Sequence, residues 1–358
     1  MKEIVIDRDG SGSRLDKFLF RHLSGAPRSL LYAQLRKKNI TLNGKRAQGN
    51  EILTEADRLQ CWFSDETWEK FTHPSTSSDG QKPDEDERIR MQSFSHYRQM
   101  PILYENRDVL IVDKPAGLLV QRAERGDESL NDWLLAYLTQ ADGAERADFS
   151  VYRPSACHRL DRNTSGIVLC AKTLAGAREV SRWFRERLIG KYYLTLVHGH
   201  LMQADLACGL LLKDRTTNTV RVREQTSARM DEESEIKTAY APVFYDASKD
   251  VTLVLARLLT GKTHQLRAQF ADLGFPMVGD RKYGGGRCEK DKEQFHASSQ
   301  LLHAALLICP KEAQALSSLA GRTITCAPAG AAWLPFTAFT DRKTILACID
   351  RYTEVFAA

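Results

Sequence analysis

Apolar residues recur at helical spacing near the start of the chain, where Leu15, Phe18, Leu19 and Leu23 share one face. Pro27 suits the first position of a second helix. That helix would turn Leu30, Leu31 and Leu35 inward and Arg28, Arg36, Lys37 and Lys38 outward. Ile40-Thr41-Leu42 alternates into Asn43-Gly44, a strong hairpin signal, and 59–63 reads as a closing strand. Residues 14–63 thus predict a compact α–β unit. Periodicity is then lost over 64–99, where HPSTSSDGQKPDEDER is rich in Ser, Pro and acid and predicts a surface linker. Beyond Pro101 the pattern alternates between elements. Strands are expected at 102–104, 109–113, 167–171, 192–197, 236–245 and 251–259, and helices at 130–138, 174–188 and 263–273. Thr263 is the expected cap of the last helix and Gly274 its stop. Strands and helices do not alternate regularly, which predicts an α+β domain on a mixed, largely antiparallel sheet.

Composition narrows the classes. The 358 residues allow about two domains, and 27% charge is ordinary for a globular protein. No uninterrupted apolar run is long enough to span a bilayer, and the first residues carry no secretory h-region. The eight Cys include no CxxC pair, and the nine His form neither HxxxH nor HExxH. Reduced cytoplasmic thiols are expected, with no metal site. Charge is unevenly spread. Residues 1–60 carry 12 Lys and Arg against 7 Asp and Glu, so this segment alone accounts for the chain's net +5. Between Lys17 and Glu51 stand seven basic residues and no acid. A polyanion partner, nucleic acid first, is expected there.

Four stretches hold candidate chemistry. His158-Arg159-Leu160-Asp161-Arg162-Asn163-Thr164-Ser165-Gly166 puts ionisable and turn-forming residues just before an apolar strand. Asp161, between two arginines, suits a nucleophile or base rather than a general acid; a structural turn is the simpler alternative. In Leu259–Arg267, a helix start with Gly261, Lys262 and Thr263 offers an anion site, and Arg267 could hold a phosphate or a carboxylate such as Asp161; an ordinary capped helix with a surface Arg is the simpler alternative. Tyr192 and Tyr193 should face opposite sides of a strand, so that one can fill the core while the other faces a cleft; core packing of both is the simpler alternative. The turn after Asp113 would present Lys114, either to phosphate or to solvent.

HRLDRNTSGIVLCAK (158–172) resembles the signature of the RluA class of pseudouridine synthases. NRDVLIVDKPAGLLV (106–120), KYYLTLVHG (191–199), LTGKTHQLR with LGFPMVGDRKYGG (259–286) and LLHAALLICP (301–310) resemble its other segments, in the same order. Residues 14–63 resemble an S4 RNA-binding module. The layout is similar to the branch acting on large-subunit ribosomal RNA. The resemblance implies an S4-like domain over 1–63, a linker over 64–99 and a pseudouridine synthase domain over 100–358. It implies that Asp161 is the essential aspartate, that Tyr193 lies on the uracil and acts on the C5 proton, and that Arg267 pairs with Asp161. Arg159 would fill the gap left by the flipped nucleotide. Arg162, Lys114, Lys262, Arg14, Arg28, Arg36, Lys37, Lys38, Lys45 and Arg46 would contact RNA. The implied protein is a cytoplasmic monomer that isomerises uridine in RNA without metal or cofactor. A non-catalytic S4-type assembly factor is the alternative. A paired-carboxylate glycosidase needs a second acid, which the sequence does not nominate.

Overall fold

A computed structural model describes residues 1–8, 10–72, 85–141, 152–214, 219–223 and 233–357. The N-terminal unit has its own core. Helices Leu15–His22 and Arg28–Arg36 bury Leu15, Phe18, Leu19, Leu31 and Leu35. They pack on a four-stranded sheet in the order Lys2–Val5, Arg58–Cys61, Ile40–Leu42, Lys45–Arg46. Asn43 and Gly44 both take positive φ, 50° and 73°, as a tight primed hairpin requires.

The expected linker is corrected at both ends, while residues 73–84 lie outside the described residues. Helix Asp65–Thr72 completes the N-terminal core through Trp68 and Phe71. Helix Glu85–His96 docks on helix Leu130–Ala141, with Phe94 6.4 Å from Trp133 and Ser93 Oγ donating to Ser129 O at 3.0 Å. Its acids bind the following basic run: Asp86 pairs with Arg122, and Glu85 with Arg125 at 2.8 Å. Acidic composition here reflects a docked helix with partners rather than a solvated linker.

The larger sheet follows the expected class. Its central order is Val251–Leu258, Gly190–His198, Leu302–Ile308, Ser165–Ala171, Val109–Lys114. Among the described strand-to-strand pairings only Leu302–Ile308 with Ser165–Ala171 is parallel, besides an isolated parallel bridge between Leu119 and Ser129. Its two faces carry separate cores. Trp133, Trp183, Tyr193 and Phe270 lie on one face; Tyr192, Phe295, Trp333 and Phe336 lie on the other. Strand alternation splits the adjacent tyrosines between them. The strands Asp205–Asp214 and Thr219–Arg223 and the helix Arg342–Arg351 are present beyond the elements expected from the sequence. No helix among the described residues is long and apolar enough to cross a membrane.

Gly166 fixes where the catalytic-type loop meets the sheet. It has φ 107°, and a Cβ there would lie 2.3 Å from the Ala304 carbonyl oxygen. Any side chain would push the parallel strands apart just after Asp161.

Candidate active site

The loop before strand Ser165–Ala171 is tied down on several sides. His158 Nε2 accepts the Leu169 N–H at 3.1 Å, and the ring lies 5.2 Å from Phe184. Burial pushes this imidazole down to about 3, so it is neutral. Thr164 N–H donates to Asp161 O at 3.0 Å. Ser165 Oγ meets His303 Nδ1 at 2.9 Å.

Lys114 corrects an expectation. It is fully buried, not presented to RNA. Its ammonium donates to the carbonyls of Pro115, Leu118 and Arg162 at 2.8, 2.8 and 3.1 Å. It staples the Pro/Gly turn to the Asp161 loop, and Gly117 N–H adds a bond to Arg162 O at 2.9 Å. Burial pushes Lys114 down to about 7. Arg162 is exposed and faces Asp127 at 3.4 Å. Arg14 is engaged as well, donating to Asp16 at 2.7 Å within the N-terminal unit.

Asp161, Tyr193 and Arg267, taken from three distant motifs, line one small cavity of about 60 Å³ with Arg159, Thr164, Lys262 and His264. Arg267 Nη1 lies 3.6 Å from Asp161 Oδ2, but its principal partner is Asp280. Nε and Nη2 donate to the two Asp280 oxygens at 2.7 and 2.8 Å. This bidentate fork fixes the guanidinium plane and leaves the third nitrogen for Asp161. Burial opposes charge on Asp280, but the Arg267 guanidinium overrides it and holds the carboxyl below its ordinary range. The same pairing overrides burial on Arg267 and raises it. Asp280 is the second acid that the sequence did not nominate; buried and locked on Arg267, it is not free for glycosidase chemistry.

His264 was also missed. The helix begins at Gln265, not Thr263: His264 stands at the cap position without a side-chain capping bond, and the Gln265 side chain instead ties back the preceding loop by accepting Lys262 N–H at 3.1 Å. His264 adopts φ 55° just outside the helix, in the left-handed region that few non-glycine residues occupy. Its Nδ1 lies 3.0 Å from Tyr283 Oη and its Nε2 4.0 Å from Asp161 Oδ2. Tyr283 Oη accepts from Val220 N–H and keeps one proton that it can give to Nδ1, in which case His264 carries its proton on Nε2, facing Asp161. Burial lowers the His264 pKa, more than Asp161 raises it. The motif spacing could have flagged His264 and Asp280; their partners required the fold.

Tyr193 is buried, and its phenol is pushed upward by burial first and by Asp161 second, so it carries its proton at neutral pH. Arg159 and Lys262 are exposed at the mouth.

A larger cavity of about 530 Å³ lies on the other side of the same loop, against Asn163, Ser165, Asp113, His303 and Trp333. Asp113 and His303 in its wall cluster with Cys326. They do not fit a metal as arranged, since His303 meets Ser165 Oγ through Nδ1 and Cys326 O through Nε2 at 3.0 Å. The smaller cavity is the candidate site, because there a carboxylate, a guanidinium and a phenol converge.

Residues 108–272 match the family model described as RNA pseudouridylate synthase. The chain is 32% identical to the ribosomal large subunit pseudouridine synthase C of Vibrio cholerae over 307 residues, 84% of this chain and 86% of that protein. It is 28% identical to the protein of the same name in Escherichia coli over 315 residues, covering 86% and 88% respectively. Among solved structures it is similar to human RNA pseudouridylate synthase domain containing 1, at 25% identity and TM-score 0.50, over 72% of this chain and 95% of that one. Human RNA pseudouridylate synthase domain containing 4 shares the fold at TM-score 0.53 and 19% identity, over 74% and 97%.

Proposed function

The chain belongs to the RNA pseudouridylate synthase family, and from that premise we propose that it converts uridine to pseudouridine in large-subunit ribosomal RNA, with Asp161 as the essential carboxylate. The single observation behind the residue assignment is the convergence of Asp161, Tyr193 and Arg267 on one cavity. Isomerisation breaks the C1′–N1 bond, turns the uracil, joins C1′ to C5 and releases the C5 proton. The target base must leave its stack to reach the cavity, at a cost of a few kcal/mol.

Each residue then has a task. Asp161 acts at the ribose, either on carbon or on the C2′ proton. Arg267 orients that carboxylate, and Asp280 orients Arg267. The His264 Nε2–H faces the same carboxylate oxygen and tightens on it as the site closes. Tyr193 lies against the base. As a protonated phenol it takes the C5 proton only while passing its own onward. Arg159 occupies the vacated stack, and Lys262 meets the flanking phosphate.

The N-terminal unit is the proposed S4-type RNA-binding domain. Arg36, Lys37, Lys38, Lys45 and Arg46 are exposed and form no ion pair among the described residues. Arg28 is exposed too, 5.2 Å above the Phe20 ring. Such cations hold RNA phosphates through counterion release. The catalytic domain is proposed to begin with the helix at Glu85. The intact site favours an enzyme over a non-catalytic assembly factor.

The test is a map of pseudouridines by carbodiimide-dependent reverse-transcription stops, on unmodified large-subunit rRNA incubated with wild type or Asp161→Asn. Discrete stops with wild type and none with the variant are expected. Stops made equally by both would remove Asp161 from its role.

A further inference from the structure

Two neighbouring hydroxyls in the loop have opposite fates. Ser165 Oγ is satisfied by His303. Thr164 Oγ1 is buried and has no hydrogen-bond partner, although Thr164 is only 2% exposed. The Thr164 backbone does its structural work without it, since the N–H already closes the turn on Asp161 O. Of the buried side-chain atoms without a partner among the described residues, Thr164 Oγ1 alone belongs to the lining of the Asp161 cavity. A buried hydroxyl left unpaired destabilises the fold, and such groups in native proteins call for an explanation. β-Branching restricts its rotamers, so the hydroxyl keeps a defined direction.

The chemistry of this site supplies a ligand. When the C1′–N1 bond breaks, its electron pair goes to the uracil ring and is shared with the two carbonyl oxygens. A fixed donor aimed at one of these oxygens is worth most at that moment. We propose that the Thr164 hydroxyl donates a hydrogen bond to a carbonyl oxygen of the flipped uracil and stabilises the charge that develops there. Thr164 keeps its proton throughout. C5 then joins C1′, the C5 proton leaves through Tyr193 to solvent, and N1, freed of its bond to C1′, takes a proton from solvent, so that the product is an isomer of uridine. This inference rests on the isomerase reading above and adds a group that contacts the base.

The two roles open to Thr164, binding and structure, predict opposite signs for the isosteric variant. In Thr164→Val the loop loses an unpaired hydroxyl and keeps its shape. Its melting temperature should stay the same or rise. Single-turnover tritium release from C5-labelled rRNA transcript should fall about 10- to 100-fold, while the affinity for that transcript is unchanged. Thr164→Ser, which keeps the hydroxyl, should stay within about three-fold of wild type. A Thr164→Val protein that releases tritium at the wild-type rate would overturn the proposal. So would one that loses stability and rate together without recovery in Thr164→Ser, since that is the mark of a packing role. Wild-type release in the same preparation separates failure of this inference from failure of the isomerase reading.

Discussion

The Asp161 loop and the N-terminal unit are both rich in arginine and lysine, yet they use charge in contrasting ways. Around Asp161 the charges that position the loop and the carboxylate are buried and held, while Arg159, Arg162 and Lys262 are exposed at the edge. Lys114 donates to three carbonyls, and Arg267 is fixed by a two-point fork on Asp280. In the N-terminal unit Arg36, Lys37, Lys38, Lys45 and Arg46 stand in solvent. Directed chemistry needs a fixed geometry, whereas affinity for a phosphate backbone needs only charge near a surface. Changes in the first region should cost stability or rate steeply. Changes in the second should alter RNA affinity gradually.

Asp280→Asn should strike hardest among variants that spare Asp161. It removes the charge facing a buried guanidinium, so unfolding free energy in denaturant should fall by about 3 kcal/mol. Turnover should drop with it, because Arg267 loses the support that orients Asp161. A variant with unchanged stability and turnover would show that the fork does not support the site.

His158 sharpens the contrast through pH. Its folded pKa is lowered to about 3, while the unfolded chain titrates at the ordinary 6.5. The unfolded state therefore binds more protons between those values. Stability is fully present above pH 6.5 and is lost as pH falls toward 3, by about 1.4 kcal/mol per pH unit for this one group. His158→Gln, whose amide oxygen can still accept the Leu169 N–H, should flatten that part of the pH–stability curve. An unchanged curve would mean that the loop's imidazole is not held neutral.

The smallest effect on folding belongs to the exposed region. Neutralising Arg36, Lys37 and Lys38 to Gln should leave stability within about 0.5 kcal/mol. It should lower the salt slope of RNA binding by about 1 for each phosphate that is no longer neutralised. An unchanged slope would remove this helix end from the RNA surface.

Much of this contrast was legible in the sequence, and the exceptions have physical causes. The helix and hairpin of the N-terminal unit follow from periodicity and Asn43-Gly44. Ordered motifs brought Asp161, Tyr193 and Arg267 together before any fold was known. Lys114 was misread because a lysine after a strand is usually solvated; only the packing of two turns shows the three carbonyls around it. Asp280 was missed because the strongest partner of Arg267 lies 13 residues away, across a turn. The helices flanking 73–84 were missed because their acids looked solvated, whereas two of them bind Arg122 and Arg125. Thr263 is not the cap because the helix starts two residues later, with His264 at the cap position in a left-handed conformation.

The division between held and free charge meets its most direct test in one experiment. Single-turnover tritium release from C5-labelled rRNA transcript would be measured at saturating protein for wild type and Asp161→Asn, with RNA affinity followed over the same salt series. Asp161→Asn should bind with the wild-type salt slope and release no tritium at any protein concentration. Tritium release by that variant, or a salt slope that disappears together with the chemistry, would contradict a site where Asp161 reacts while other residues bind.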